Sequence, residues 1–265
     1  MTRRRAGTLL LVAVALVSLL VVVVDLGVDG TRSSADAALD EGSPTGTAPA
    51  PTGITTTSKV PAPTTTVRGP LGSGESVTIA FGGDSHFESH VRTRLDSQGS
   101  SMLAPLGALF AGSDLQILNL ETAITGRGAP QPKEWTFRAP DRALAVLADA
   151  GVDAVSMANN HGLDFGAEGL EDTLAARDHA PLAVIGIGRD ATDAYRPYRA
   201  TVRGQRIAVI AATQVLDEEL IWAWTAADAA PGGVPARAGL ASAKTVSRLT
   251  DAVSRARAES DTVVV

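Results

Sequence analysis

The chain contains no cysteine among its 265 residues, which excludes disulfide frameworks, thiolate metal sites, cysteine nucleophiles and a lipid-modified cysteine anchor. Aromatic residues make up only 4%, and histidines number four, so any imidazole chemistry rests on very few positions. A basic excess is missing too: the formal charge is −6, which argues against a nucleic-acid partner. Apolar residues are not scarce. At 45%, with 20% charged, they suffice for a real core in one or two domains and exclude wholesale disorder.

These averages combine three unlike segments. Arg3, Arg4 and Arg5 precede an uncharged run, AGTLLLVAVALVSLLVVVV, from Ala6 to Val24. A bilayer-spanning helix needs ~20 apolar residues, and a basic flank places the N-terminus in the cytoplasm. Residues 1–26 are therefore expected to form a basic flank and transmembrane anchor. The alternative is a cleaved signal peptide using Ala35-Asp36-Ala37, although that site lies well downstream of the apolar run. Residues 27–75, dense in Thr, Pro, Ser and Gly, read as a disordered stalk that cannot bury enough surface to offset its ordering entropy. Either reading of the N-terminus puts residues 76–265 outside the cytoplasm. The six basic and six acidic residues of 1–75 cancel, so the whole net charge sits on that last segment.

Residues 76–265 alternate short apolar runs with amphipathic stretches, the pattern of an α/β domain. Buried strands are expected at Val77–Phe81, Gln116–Leu120, Asp153–Met157, Ala183–Gly186 and Ile207–Ala211. Helices are expected over Ser101–Ala111, Asp141–Ala150 with Gly151 as stop, Ala167–Asp178, and Ser242–Glu259 with Ser242 as N-cap.

Three of these strands run into polar residues: Gly82-Gly83-Asp84-Ser85-His86, Asn119-Leu120-Glu121-Thr122 and Asn159-Asn160-His161-Gly162-Leu163-Asp164. In an α/β sheet ligands collect beyond the carboxyl ends of strands, so groups distant in sequence converge there. Carboxylates, an imidazole and an amide oxygen suit a dinuclear hydrolytic centre. Asp84 and His86 would approach an ion from a tight turn opened by Gly82 and Gly83. Singly, each has a plainer reading: His86 as a loop histidine, Glu121 as a surface carboxylate. Consecutive Asn159, Asn160 and His161 have little packing value after an apolar strand, and the three ends together favour a site.

The segments FGGDSHFE, LNLETAIT, KEWTFRAP and AGVDAVSMANNHGLDFGAEGLEDTL, then VIGIGRDATDAYRP and RGQRIAVIAAT, resemble the CapA-type poly-γ-glutamate capsule biosynthesis proteins. That family is itself similar to calcineurin-like metallophosphoesterases, which implies two central sheets flanked by helices. The resemblance implies that Asp84, His86, Glu121 and Asn160 hold divalent metal, two ions in a complete domain. It implies that His161 acts as acid toward the leaving group, oriented by Asp164. Lys133, Arg138 and Asn159 would meet an anionic polymer or cell-envelope substrate, and polymer synthase or export subunits would be partners. Trp135 and Phe137 alternate as in a half-buried strand, Trp222 and Trp224 read as packing, and His90 and His179 as solvated. Asp261–Val265 reads as the start of a buried strand. In resembling proteins it is followed by further histidine segments, so the resemblance implies a domain truncated at its C-terminus that holds one ion weakly. A generic exported phosphoesterase and a non-catalytic binding module of the same fold are the other readings.

Overall fold

The computed structural model describes residues 22–25, 72–215 and 221–265. The expected anchor and stalk lie outside these residues, except that Val22–Val24 fall in an edge strand and 72–75 precede the domain. No helix among the described residues is long and apolar enough to cross a membrane.

In chain order the strands are β1 (Val22–Asp25), β2 (Thr78–Ser85), β3 (Leu115–Leu120), β4 (Ala123–Ile124), β5 (Arg138–Ala139), β6 (Ala154–Ser156), β7 (Ala183–Ile185), β8 (Ile187–Gly188), β9 (Tyr198–Val202), β10 (Gln205–Val209), β11 (Gly239–Leu240) and β12 (Thr262–Val264). The helices are α1 (Ser89–Gln98), α2 (Ala104–Phe110), α3 (Arg142–Asp149), α4 (Gly166–Asp178), α5 (Ala191–Ala194), α6 (Ile221–Trp224) and α7 (Val246–Glu259). The large sheet has the order β1-β2-β3-β6-β7, with β2, β3, β6 and β7 mutually parallel. A second sheet runs β12-β10-β9.

Period-two alternation explains how these sheets stack. On β3, Leu115 and Ile117 face one way and Leu118 and Leu120 the other. The first pair joins Val77, Ile79, Ala154, Ile185, Ile207 and Val209 in a cluster drawn from both sheets, so the sheets pack face to face. The second pair meets Leu95 of α1, Phe110 of α2, Leu144 and Leu147 of α3, and Leu170 and Leu174 of α4. On the far side of the small sheet, Ala208 and Ile210 pack on Tyr195, Ala252 and Ala256. The result is a mixed α/β domain of two facing sheets with helices outside, as expected. Each fully buried Leu or Ile in these layers contributes about 1.5–3 kcal/mol.

Three local expectations are corrected. Helix 101–111 divides into a 3-10 turn, Gly99–Leu103, and α2, because Pro105 sits in the first turn of α2 and starts a new helix. Ser242 does not cap α7, which starts at Val246 with Thr245 before it. Ser242 is instead buried, its main-chain N–H donating to the Tyr195 hydroxyl, which donates back to the Ser242 carbonyl. The glycines after Phe81 do not open a turn: β2 continues through them to Ser85, and a register shift between Phe81 and Asp84 absorbs the irregularity.

Candidate functional site

The parallel pairing of β2, β3 and β6 places Asp84 beside Asn119 and Asn119 beside Ser156, at the carboxyl ends of three adjacent strands. Glu121 is drawn to the same level because its main-chain N–H donates to the Ser85 carbonyl at 2.8 Å. The Ser85 hydroxyl donates to the Asn119 carbonyl at 2.8 Å.

A relay of amides ties these ends together. The His161 main-chain N–H donates to Asn159 Oδ1 at 3.0 Å, which fixes the orientation of that amide. Asn159 Nδ2 then donates to the Leu120 carbonyl at 2.9 Å and to Asn119 Oδ1 at 3.0 Å. Asn119, oriented in turn, donates to Asp84 Oδ1 at 2.9 Å and Glu121 Oε1 at 3.1 Å. One buried N–H at His161 therefore sets the hydrogen-bonding sense of every group out to the two carboxylates.

The second half of the site is built on Asp164, whose side chain is fully buried. His161 Nδ1 lies 2.8 Å from Asp164 Oδ2, and the Phe137 main-chain N–H donates to the same oxygen at 2.6 Å. Lys133 Nζ donates to Oδ1 at 2.8 Å and to the Asn160 carbonyl at 2.5 Å. A carboxylate surrounded by donors leaves the His161 proton on Nδ1, so Nε2 is the nitrogen available for chemistry.

Phe137 joins the halves. Its ring stacks on His86 at 4.6 Å between centroids, 12° from parallel, and on His161 at 4.3 Å and 25°. A phenyl ring thus separates the two imidazoles, one exposed and one buried.

Burial and the neighbouring Asp84 charge push the Glu121 carboxyl above its usual range, against opposing pulls from His161, the Asn119 amide and His86. Two adjacent carboxylates with this electrostatic demand, within the field of the two imidazoles, have donor chemistry that fits a divalent cation. Among the described residues no three His, Asp or Glu side chains close into a ligand cluster.

Residues 78–265 match the family described as bacterial capsule synthesis protein PGA_cap. The chain belongs to this family. It is 31% identical over 121 residues to a protein of Mycobacterium tuberculosis named "probable polyglutamine synthesis accessory protein", covering 45% of this chain and 32% of that one. It is 26% identical over 147 residues to the PGA biosynthesis protein CapA of Bacillus subtilis, covering 54% and 39%. Against the capsule biosynthesis protein CapA of Bacillus anthracis it is 25% identical over 144 residues, covering 52% and 35%. The matched stretches thus span between about a third and two fifths of these relatives' length.

Every candidate residue falls inside the family match. Asp84, Glu121, Asn159, His161, Asp164 and Lys133 are joined by the bonds above. His86 joins through Phe137, and Asn160 is half-buried and bonded through its carbonyl. Arg138 stands at the edge of this group: its main-chain N–H donates to Glu88 Oε1 at 2.8 Å and its guanidinium lies 4.9 Å over the Phe165 ring. Two residues that join this group were not given a site role from sequence, Asn119 and Phe137. Asn119 carried a usable signal, a polar residue one step from the end of a strand whose other polar residue, Gln116, lies near its start. Trp135 and Phe137 do not form a strand; Trp135 is 63% exposed, and β5 begins only at Arg138. Trp224 is buried, its ring 5.5 Å from Lys133 Nζ. His90 and His179 are exposed.

Proposed function

We propose that this chain works in the synthesis or export of a poly-γ-glutamate-type capsule polymer, as a membrane-anchored protein whose domain lies outside the cytoplasm and carries a hydrolase-like site. The polymer class follows the printed names of its relatives, which refer to PGA, capsule and polyglutamine synthesis. The anchor rests on the basic flank Arg3 to Arg5 and the apolar run that follows it from Ala6, ahead of β1.

The observation that carries the chemical reading is the 2.8 Å bond from His161 Nδ1 to Asp164. It holds the ring in one tautomer and leaves Nε2 to deliver a proton to a departing amine or alcohol. Arg138 supplies a cation for a substrate carboxylate: stacked on Phe165, its guanidinium makes no ion pair among the described residues. Asn159 keeps the His161 main chain in register with the strand ends. A divalent cation would be held by Asp84 and Glu121 with His86 and Asn160, and when bound it would stabilise developing negative charge and activate water.

A second reading, phosphoester hydrolysis on nucleotides or wall phosphates, is favoured by the paired carboxylates and two imidazoles at the strand ends. The test compares cleavage or transfer at a γ-glutamyl amide with hydrolysis of a generic phosphodiester. It uses the full chain with and without added divalent metal, alongside His161→Ala and Asp84→Ala. Turnover on the amide that both substitutions abolish supports the proposal. Turnover confined to the phosphodiester selects the second reading. Polymer binding with no turnover on either substrate identifies a binding module and overturns both.

A further inference from the structure

Lys133 has a different position from the substrate-facing cation that its sequence context suggests. Its side chain is only 11% exposed. The ammonium donates to Asp164 and to the Asn160 carbonyl, and the Trp224 ring lies 5.5 Å from it. We propose that Lys133 is a positioning residue, which brackets His161 by tying the main chain just before it to the carboxylate three residues after it.

The geometry explains why a cation is used here. Asp164 offers two oxygens, and Oδ2 already serves the Phe137 N–H and the His161 ring. Without a donor on Oδ1 the carboxylate is free to rotate about its side-chain bond and carry both partners with it. A charged donor resists that rotation more strongly than a neutral one, because charge-assisted bonds are about twice as strong. The second bond, to the Asn160 carbonyl, fixes the peptide that leads into His161. Lys133 also belongs to a strap that meets the same loop elsewhere: the Gln131 main-chain N–H donates to the Asp164 carbonyl at 2.8 Å, and Phe137 lies against the His161 ring. The strap therefore carries two exposed residues, Glu134 and Trp135, between two that are pinned inward, Lys133 and Phe137.

This inference rests on His161 as the acid for its importance, but it can be tested without any turnover. With four histidines in the chain, selective 15N-histidine labelling of the full-length protein resolves the His161 ring, assigned by its loss in His161→Ala. The native protein is expected to show a single tautomer with a protonated Nδ1 whose proton exchanges slowly with water. Lys133→Met is expected to speed that exchange at least about tenfold, the lower end of what outer-shell partners contribute to metal affinity or activity. Lys133→Arg is expected to restore slow exchange. In an Asp164→Asn background, where the ring has lost its carboxylate, Lys133→Met is expected to add no further change. That double variant also removes both members of the buried pair, so it provides a folded comparison if Lys133→Met alone does not fold. A His161 signal unmoved by Lys133→Met, or an equal change with and without Asp164, overturns the proposal. If His161→Ala leaves turnover intact while the Lys133 effect on the ring persists, the functional reading has failed and the positioning role stands.

Discussion

Asn159 donates to the Asn119 side-chain oxygen at 3.0 Å, and across that contact the carboxylate half of the site takes its orientation from the histidine half. The two residues sit on different strand ends, at β6 and β3, so the bond also reports that the large sheet is in register. An amide suits this place because it accepts on one side and donates twice on the other, which no carboxylate or hydroxyl does.

Replacing Asn119 with Asp preserves shape and removes both donors, leaving three carboxylates side by side. Asn119→Asp is expected to lower stability at neutral pH by about 1–3 kcal/mol, the range for a buried polar group left without its partner. Urea unfolding measured with and without a divalent cation checks this; the cation is expected to return much of the loss. Equal midpoints for the two proteins in both conditions would show that the amide relay does not hold the site.

Phe137 is the contact between two imidazoles that otherwise share none. Phe137→Leu keeps the main-chain bond to Asp164 and removes the ring. The ring protons of His86 and His161 are expected to lose their upfield ring-current shifts, with a stability decrease of about 1 kcal/mol. Unshifted histidine resonances in the native protein would count directly against the stack.

Glu121 gives a pH dependence whose sign can be worked out. Its carboxyl is held above the ordinary 4.5 by burial and by Asp84, so the folded state prefers the protonated form. The ionised group therefore opposes folding once the pH exceeds its raised value, and this opposition vanishes below about 4.5. Glu121→Gln is expected to be more stable than the native protein at neutral pH, with the difference closing as the pH falls to 4.5. Thermal melts at several pH values decide it, and a difference that grows on acidification has the wrong sign.

The Arg206 and Asp261 pair behaves oppositely. Arg206 of β10 donates to Asp261 through its main chain at 2.9 Å and its guanidinium at 3.0 and 2.6 Å, holding that carboxyl down from 3.8 to about 2. Its support for the folded state is complete above about pH 4 and is lost as the pH falls through 2. Arg206→Met is expected to shift the acid-unfolding midpoint upward and to speed amide exchange in β12 selectively. Unchanged β12 protection in the variant would show that the clamp does not hold this edge.

Much of this architecture was legible in the sequence. β2, β3, β6, β7, β10 and β12 follow from short apolar runs bounded by glycine or polar residues, whereas β9, half-buried and exposed in turn along its length, offered no such run. The convergence of Asp84, Glu121 and His161 follows from their common place just past strand ends. α1 was not legible because it buries only Leu95 and so lacks an apolar stripe. The short pairs β4 with β5 and β8 with β11 are too brief for any periodicity. Asn119 gains its role from strands adjacent in space, not in sequence. The inward turn of Lys133 is invisible for a related reason: the buried carboxylate that receives it is supplied by a loop 31 residues further on.

The large sheet and the site are complete by residue 185, whereas the small sheet is completed only when β12 pairs in parallel with β10. During N-to-C emergence of the chain from the ribosome, and again during any threading through a membrane, Asp84 to Asp164 can meet before their sheet has a partner. In that interval Ile79, Leu115, Ile117, Ala154 and Ile185 present a bare apolar face to water. The site geometry of this fold thus precedes its protection from aggregation, and a chaperone that shields one sheet face would serve the chain without touching the site.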